Sequence, residues 1–104
     1  MPAQTQLAIG DTLLIAEDFV VEAYGRGYTE SKRLPTAWLG VQLKPKRDGR
    51  FEVKFGWAKD GTAPLYGEGV DVEMGVFFFE IESTDEPAVR AFFADAAARA
   101  GRTP

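Results

Sequence analysis

Cysteine and histidine are both missing from the 104 residues of this chain. Without cysteine the chain forms no disulfide, no zinc thiolate and no thiol nucleophile. Without histidine it lacks the commonest general base and the commonest transition-metal ligand. Serine occurs only at Ser31 and Ser83, and neither has a histidine to activate it. We therefore expect a protein that is not an enzyme, and we expect no cofactor and no metal.

Long apolar segments are missing as well. No stretch approaches the roughly 18 apolar residues that a membrane span requires. The opening segment, MPAQTQLAIG, has neither a basic start nor a long apolar run, so it does not have the pattern of a signal peptide. From these two features we expect a cytoplasmic protein. We also expect one domain over residues 1–104, because this length supports a single hydrophobic core.

The charges are unevenly distributed along the chain. The formal net charge is -4, yet residues 26–54 contain eight basic and three acidic side chains. Residues 60–95 contain nine acidic side chains and one basic side chain, Arg90. The negative total argues against DNA as a partner, whereas the basic segment allows a local edge that attracts anions.

Alternating apolar residues predict about seven short antiparallel strands between residues 12 and 82. The clearest is RFEVKFGW, in which Phe51, Val53, Phe55 and Trp57 share one face. The Asp48-Gly49 dipeptide before it is typical of a tight hairpin turn, which pairs this strand with the preceding one. Further strands are expected on either side of Glu17-Asp18, before a bend at residues 35–37, at residues 70–74 and in VFFFEIE.

Turn residues and large aromatic residues add further expectations. We expect turns or loops at Gly27, Gly61 and Gly75, where polar residues and glycines interrupt the strands. Phe19 is expected to share one face of its strand with Val21 and Ala23. Trp38 and Trp57 are expected to lie in the core of the sheet.

A helix is predicted over about residues 86–100. Val89, Phe92, Phe93, Ala96 and Ala100 follow helical spacing and form one apolar stripe. Asp85 is the expected N-cap, with Ser83 and Glu86 as an alternative capping box, and Gly101 is the expected stop. We therefore predict a mainly β (α+β) fold, in which an antiparallel sheet curls into a barrel that the helix closes.

This order of elements resembles a small bacterial pleckstrin-homology-like domain over residues 11–100. The resemblance lies in LLIAEDFVVEA as the opening hairpin, RLPTAWLGVQL as the third and fourth strands, and a helix after FFFEIES. The tail AVRAFFADAAARAGR is similar to that of small stand-alone proteins of high-GC bacteria. The resemblance implies a binding platform for lipids, phosphopeptides or protein segments, held by inter-strand loops or by the groove between the helix and its neighbouring strand.

The first candidate site is apolar and aromatic. Leu65 and Tyr66 lie in a long loop, where binding residues are often found, and Trp57 precedes that loop. Phe78 faces away from Phe77 and Phe79, so it is a candidate for a contact surface. The alternative for Leu65 and Tyr66 is that they fold back and cover the end of the barrel.

The second candidate site is the basic hairpin KPKRDGR. Its cations, together with two from the preceding strand region, are expected to form a rim that attracts anionic groups. The resembled domains usually place such a site in the first hairpin loop, which is the acidic AEDF in this chain. The alternative is a solvated turn whose charges discourage aggregation. The candidate residues are Lys44, Lys46, Arg47, Arg50, Lys32 and Arg33.

Three classes of function follow from these features. The leading hypothesis is a non-catalytic module that binds a protein or peptide, with a second copy of the chain among the candidates. The alternative is recognition of anionic lipid headgroups or phosphorylated groups through residues 44–50; binding to an acidic membrane surface is not favoured. The third is a small enzyme, or a carrier of a small apolar ligand.

Overall fold

A four-stranded antiparallel meander forms the first sheet. The computed structural model describes residues 4–25, 30–60, 64–74 and 77–104. Its first four strands pair in chain order: β1 (Thr5–Ile9), β2 (Thr12–Ala16), β3 (Val20–Gly25) and β4 (Glu30–Pro35). Side chains that alternate along these strands enter the core, because successive residues of a strand point to opposite faces. The buried ones include Leu14, Ala16, Val21, Ala23 and Leu34.

The second sheet is built on the predicted hairpin. β5 (Leu39–Pro45) pairs antiparallel with β6 (Phe51–Trp57), and Pro45 lies opposite Phe51. Gly49 adopts a φ of 83° in the connecting turn, a value that glycine reaches without strain. The Asp48 carboxylate accepts a hydrogen bond from the Arg50 backbone N–H at 3.0 Å. The prediction of a hairpin at Asp48-Gly49 is confirmed.

Two further strands complete this sheet, in the order β7-β5-β6-β8. β7 (Tyr66–Gly67) is short and runs parallel to β5, whereas β8 (Phe77–Ile81) is antiparallel to β6. Phe77 and Phe79 are buried and Phe78 is exposed, as the alternation in VFFFEIE predicted. The outer edges of the second sheet are therefore formed by segments that follow the hairpin in sequence.

A single turn of 3-10 helix, Thr36–Trp38, carries the chain from the first sheet to the second. The Thr36 N–H donates to the Phe19 carbonyl at 2.8 Å, and the Ala58 N–H donates to the Trp38 carbonyl at 2.9 Å. Thr36 is fully buried, whereas Trp38 is exposed. The bend predicted at residues 35–37 is confirmed, and hydrogen bonds to both sheets fix it in place.

The C-terminal helix, α1 (Glu86–Arg99), follows a 3-10 turn at Ser83–Asp85. Its buried face contains Val89, Phe92, Phe93, Ala96 and Ala97, so four of the five predicted stripe residues are buried and Ala100 is only partly so. Asp85 is the N-cap of α1, as predicted. The capping box belongs to the preceding 3-10 turn and joins Glu82 and Asp85, not Ser83 and Glu86. No helix in the described part of the chain is long and apolar enough to cross a membrane.

The helix ends at Arg99, and Gly101 supplies the stop just beyond it, as predicted. Gly101 has a φ of 69°, its N–H donates to the Ala98 carbonyl at 3.2 Å, and the Arg102 N–H donates to the Ala97 carbonyl at 2.8 Å. This pair of bonds is the Schellman arrangement, in which a left-handed glycine lets the last carbonyls find donors. The chain then turns back toward the second sheet, where the Leu65 N–H donates to the Thr103 carbonyl at 3.2 Å.

One hydrophobic cluster joins the helix to both sheets. Phe93 is fully buried, and its ring centroid lies 6.5 Å from that of Phe55, 5.5 Å from that of Tyr66 and 5.1 Å from that of Phe92. The neighbours come from β6, β7 and the helix itself. Aromatic contacts of this kind add about 0.5–1.5 kcal/mol to the stability that burial alone provides.

The expectation of a closed barrel with about seven strands is corrected. The described residues form eight strands in two separate sheets. The chain leaves β4 through the 3-10 turn, and β5 then pairs with β6 and β7, so no ladder joins β4 to β5 within the described residues. The two strands that the pattern missed are β1, a half-buried edge strand, and β7, which has two residues.

The strand predicted at residues 70–74 is also wrong. Val72 forms an isolated bridge with Ala58, and Val70 is buried, but the segment forms no continuous ladder in the described part of the chain. The turns or loops expected at Gly27, Gly61 and Gly75 lie outside the described residues.

Replacing Phe93 by alanine tests the central packing. We expect Phe93→Ala to lower the free energy of unfolding by about 3–5 kcal/mol, because it removes a buried ring and leaves a cavity. Phe78→Ala is the matched control, since Phe78 is 54% exposed, and we expect it to cost less than about 1 kcal/mol. Urea denaturation followed by circular dichroism measures both. Equal losses in the two variants would contradict the proposed role of Phe93.

Candidate functional site

The basic hairpin is largely engaged by carboxylates of the same molecule. The Lys46 ammonium donates to Glu80, and this hydrogen bond raises the pKa of Lys46. The Arg50 guanidinium lies 3.3 Å from the Glu80 carboxylate and 3.2 Å from that of Glu82. Two of the four cations in the hairpin therefore have internal partners, and these pairs reduce the attraction for an external anion.

The remaining candidate cations are not brought together with the hairpin. Lys32 and Arg33 belong to β4 of the first sheet, not to the hairpin's sheet, and as neighbours in a strand they point to opposite faces. Arg33 lies opposite Glu22 and Lys32 opposite Ala23. The expectation that these residues extend a rim in or beside the same sheet is corrected. Lys44 and Arg47 remain exposed on the hairpin.

Phe78 lies on the outer face of the second sheet, away from the core. Its ring is 54% exposed, and the Lys54 ammonium sits 5.6 Å from the ring centroid, which is a cation–π geometry. Lys54 and Phe78 are direct neighbours across β6 and β8. Phe78 is thus an isolated aromatic side chain within a charged sheet face.

Leu65 and Tyr66 fold back onto the second sheet and the helix. Leu65 is fully buried, so it offers no surface to a partner. Tyr66 is half-buried and stacks on Phe93 at 5.5 Å, and its hydroxyl donates to the Glu86 carboxylate at 2.9 Å. Arg90 donates to both oxygens of Glu86, at 3.1 Å and 2.8 Å. These contacts favour a role for both residues in closing the core.

A cleft of about 420 Å³ lies between α1 and the β5–β7 edge. Its walls include Leu43, Ala94 and Pro104, with Arg90 and Glu68 at its polar side. The backbone at this edge is already paired, since the Val41 N–H donates to the Leu65 carbonyl at 2.8 Å and β7 covers Val41 and Gln42. An extended peptide therefore cannot add as a new strand at these two positions.

Large apolar side chains are instead exposed at the end of the molecule where the chain crosses between the sheets. Trp38 is 58% exposed and stacks on Trp57, with ring centroids 5.6 Å apart. Met74 is 62% exposed and Phe19 is 72% exposed. We call these four residues the exposed aromatic end.

Backbone hydrogen bonds hold the exposed aromatic end together. The Trp57 N–H donates to the Met74 carbonyl at 2.9 Å, and the Glu73 N–H donates to the Trp57 carbonyl at 2.8 Å. The Trp38 carbonyl is bonded to Ala58, and the Phe19 carbonyl is bonded to Thr36. Backbone segments from distant parts of the sequence that carry these four residues are thereby bonded to one another.

The expectation that both tryptophans lie in the core is corrected for Trp38, which is exposed, whereas Trp57 is half-buried and packs against the core. Trp38 ends the 3-10 turn, where Thr36 and Leu39 take the inward positions, so its ring points outward and Trp57 is only half-buried beneath it. Phe19, expected on one strand face with Val21 and Ala23, lies in the bend before β3 and is exposed. Hydrophobicity alone does not reveal this exposure; the signal available in the sequence was the Leu-Pro-Thr bend before Trp38.

Comparisons with known proteins leave this geometry to be interpreted on its own terms. No family model matches the chain, and no curated protein or solved structure gives a significant match.

The Tyr66–Glu86 contact predicts a dependence of stability on alkaline pH. Burial, and then the hydrogen bond to Glu86, raise the pKa of Tyr66 above its usual 10.0. A raised pKa in the folded state means that the stabilisation is present below pH 10 and is lost as the pH rises beyond it. We expect Tyr66→Phe to flatten the decline of unfolding free energy above pH 10. Tyr24→Phe should change it less, because the pKa of Tyr24 is raised first by a hydrogen bond to Glu22 and only then by burial. Urea denaturation at several alkaline pH values measures this, and identical slopes in both variants would contradict it.

The internal pairing of the hairpin predicts weak attraction to acidic membranes. We expect the double reversal Lys46→Glu/Arg47→Glu to leave co-sedimentation with vesicles of acidic phospholipid nearly unchanged at low salt. Each basic residue that faces a membrane contributes about 1 kcal/mol, so a real lipid site would lose most of its binding. Such a loss would support the alternative of headgroup recognition.

Proposed function

We propose that this chain is a non-catalytic module that binds a protein partner through the exposed aromatic end. The observation that carries the proposal is the stack of Trp38 on Trp57, with Trp38 58% exposed. Two further exposed apolar residues, Phe19 and Met74, lie on backbone bonded to Thr36 and Trp57. Of the described residues, only one other large apolar side chain, Phe78, is more than half exposed. The exposure is therefore concentrated at one end.

Burying these side chains against a partner would stabilise a complex. Apolar surface removed from water contributes about 25 cal/mol per Å², and tryptophan is among the residues that most often dominate binding energy. Trp38 is also held in place by the stack on Trp57 and by the bond between its carbonyl and Ala58. A rigid anchor loses little conformational entropy on binding, which favours a docking role over an incidental exposure.

We also propose that the fold is an open relative of the pleckstrin-homology-like architecture. The order of elements supports this: a four-stranded meander, then β5, β6 and β8 as neighbouring antiparallel strands, then a C-terminal helix. The short β7 is an addition to that order. Because one fold serves many functions, the proposed protein binding rests on the exposed aromatic end and not on the fold.

The competing functions have less support. Recognition of an anionic headgroup relies on cations of which Lys46 and Arg50 already have carboxylate partners. A carrier of a small apolar ligand needs an interior cavity, whereas the space between the sheets and the helix is filled by side chains such as Phe55 and Phe93.

Quantitative affinity capture tests the proposal. The purified chain and the double variant Trp38→Ser/Met74→Ser are each immobilised, and the proteins retained from a lysate are compared by mass spectrometry. We expect at least one protein to be retained by the original chain and lost with the variant. Once that protein is purified, its Kd should rise roughly thirtyfold in the variant, since loss of an anchor costs about 2 kcal/mol or more.

The matched control is Phe78→Ser, which removes an exposed aromatic ring from a different surface. We expect this control to retain the same proteins as the original chain. If every retained protein binds the Trp38→Ser/Met74→Ser variant equally well, the exposed aromatic end is not the docking surface. Circular dichroism of both variants verifies that they are folded.

A further inference from the structure

Carboxylates surround the exposed aromatic end. Glu17 and Asp18 directly precede Phe19, while Asp71 and Glu73 stand in the segment that is bonded to β6 beside Trp57. Asp18, Asp71 and Glu73 are exposed. The Lys59 N–H donates to the Asp71 carbonyl at 3.0 Å, and the Glu73 N–H donates to the Trp57 carbonyl. Acidic residues therefore adjoin the backbone of the apolar patch at both Phe19 and Trp57, and we call these four residues the acidic rim.

Few nearby cations oppose this rim. Arg99 reaches Asp18 at 3.3 Å, but it also pairs with Asp95 at 2.9 Å, so one guanidinium is shared between two carboxylates. The Arg102 guanidinium points toward the backbone, where it donates to the carbonyls of Thr36 and Leu39. Lys59 is exposed beside Asp71. The field at the exposed aromatic end is consequently negative.

We propose that the exposed aromatic end takes a segment of another protein that carries lysine or arginine among apolar side chains. The inference rests on the proposed function and adds the chemistry of the partner. Apolar side chains of the segment cover Trp38 and Met74, and its cations face the acidic rim. Such complementary potentials raise the association rate and select against wrong partners. The open face of the Trp38 indole also suits a lysine or arginine side chain, through a cation–π contact.

A second copy of this chain fits the same surface poorly. In a two-fold dimer the patch would face itself, so the acidic rim of one copy would oppose the acidic rim of the other. Like charges placed across an interface are destabilising. Nucleic acids and acidic membranes are repelled by the same field. A basic segment of a different protein is the occupant that satisfies both the apolar patch and its charged border.

Selection from random peptides displayed on phage tests the inference without a known partner. Clones are selected on the immobilised chain, and those that also bind Trp38→Ser are discarded. We expect the retained peptides to carry net positive charge and at least one large apolar residue. Their binding, measured by calorimetry on synthetic copies, should weaken as the salt concentration rises.

Charge-neutral variants then test the acidic rim itself. We expect Asp71→Asn/Glu73→Gln to weaken the selected peptides roughly fivefold or more, because two facing charges are lost. The control Glu30→Gln/Glu68→Gln makes the same change in charge at exposed residues elsewhere and should alter the Kd less than about twofold. Met74→Ser serves as a second patch variant in case Trp38→Ser does not fold by circular dichroism.

The outcomes separate this inference from the proposed function. The inference of a basic partner would be overturned if the retained peptides were neutral or acidic, or if Asp71→Asn/Glu73→Gln left their Kd unchanged. The proposed docking surface would stand in either case. Failure to retain any clone that depends on Trp38 or Met74 would overturn both. A dimer in sedimentation velocity that Trp38→Ser dissociates would identify a second copy as the occupant, against the inference.

Discussion

The packing of Phe93 between Phe55 and Tyr66 is the interaction on which the rest of the structure depends. It fastens the helix to β6 and β7 at once, and it brings Tyr66 close enough to bond the buried Glu86 carboxylate. Because Tyr66 is held there, β7 remains on the edge of β5 and occupies the position at which an incoming strand would otherwise pair. Packing in the core thus keeps the sheet edge beside the helix covered by β7 of the same chain.

At the crossing between the sheets, by contrast, large apolar side chains remain exposed. Thr36 in the 3-10 turn and Leu39 just after it take the inward positions, and both are fully buried. Trp38, which lies between them in sequence, is turned outward. Trp57 continues β6 beneath it, and Met74 is bonded to Trp57. Large apolar side chains normally stabilise a fold by leaving water, so a stack that stays exposed on rigid backbone favours a function that buries it later.

Local patterns in the sequence predicted the hairpin of β5 and β6 and the helix, because both depend on spacing and on turn residues near in sequence. Gly49 and Gly101 carry the positive φ values that these signals require. Contacts between residues far apart in the sequence could not be predicted from local patterns. β7 exists only through its parallel pairing with a strand more than twenty residues away, and the half-buried β1 resembles a polar terminus. Burial of Trp38 was wrongly predicted because hydrophobicity gives no information on which way the side chains of a crossing turn point.

The fold determines where the acidic and basic segments of the sequence meet. Pairing of β6 with β8 brings the acidic residues that follow Phe79 to the basic hairpin, where Glu80 and Glu82 engage Lys46 and Arg50. Acidic and basic segments therefore balance each other at that end. Within the described residues, the carboxylates next to the exposed aromatic end meet no equivalent basic strand, and the Arg99 guanidinium is shared between Asp18 and Asp95. A net negative potential is left where the apolar side chains are exposed, and this is why the proposed partner supplies both apolar cover and positive charge.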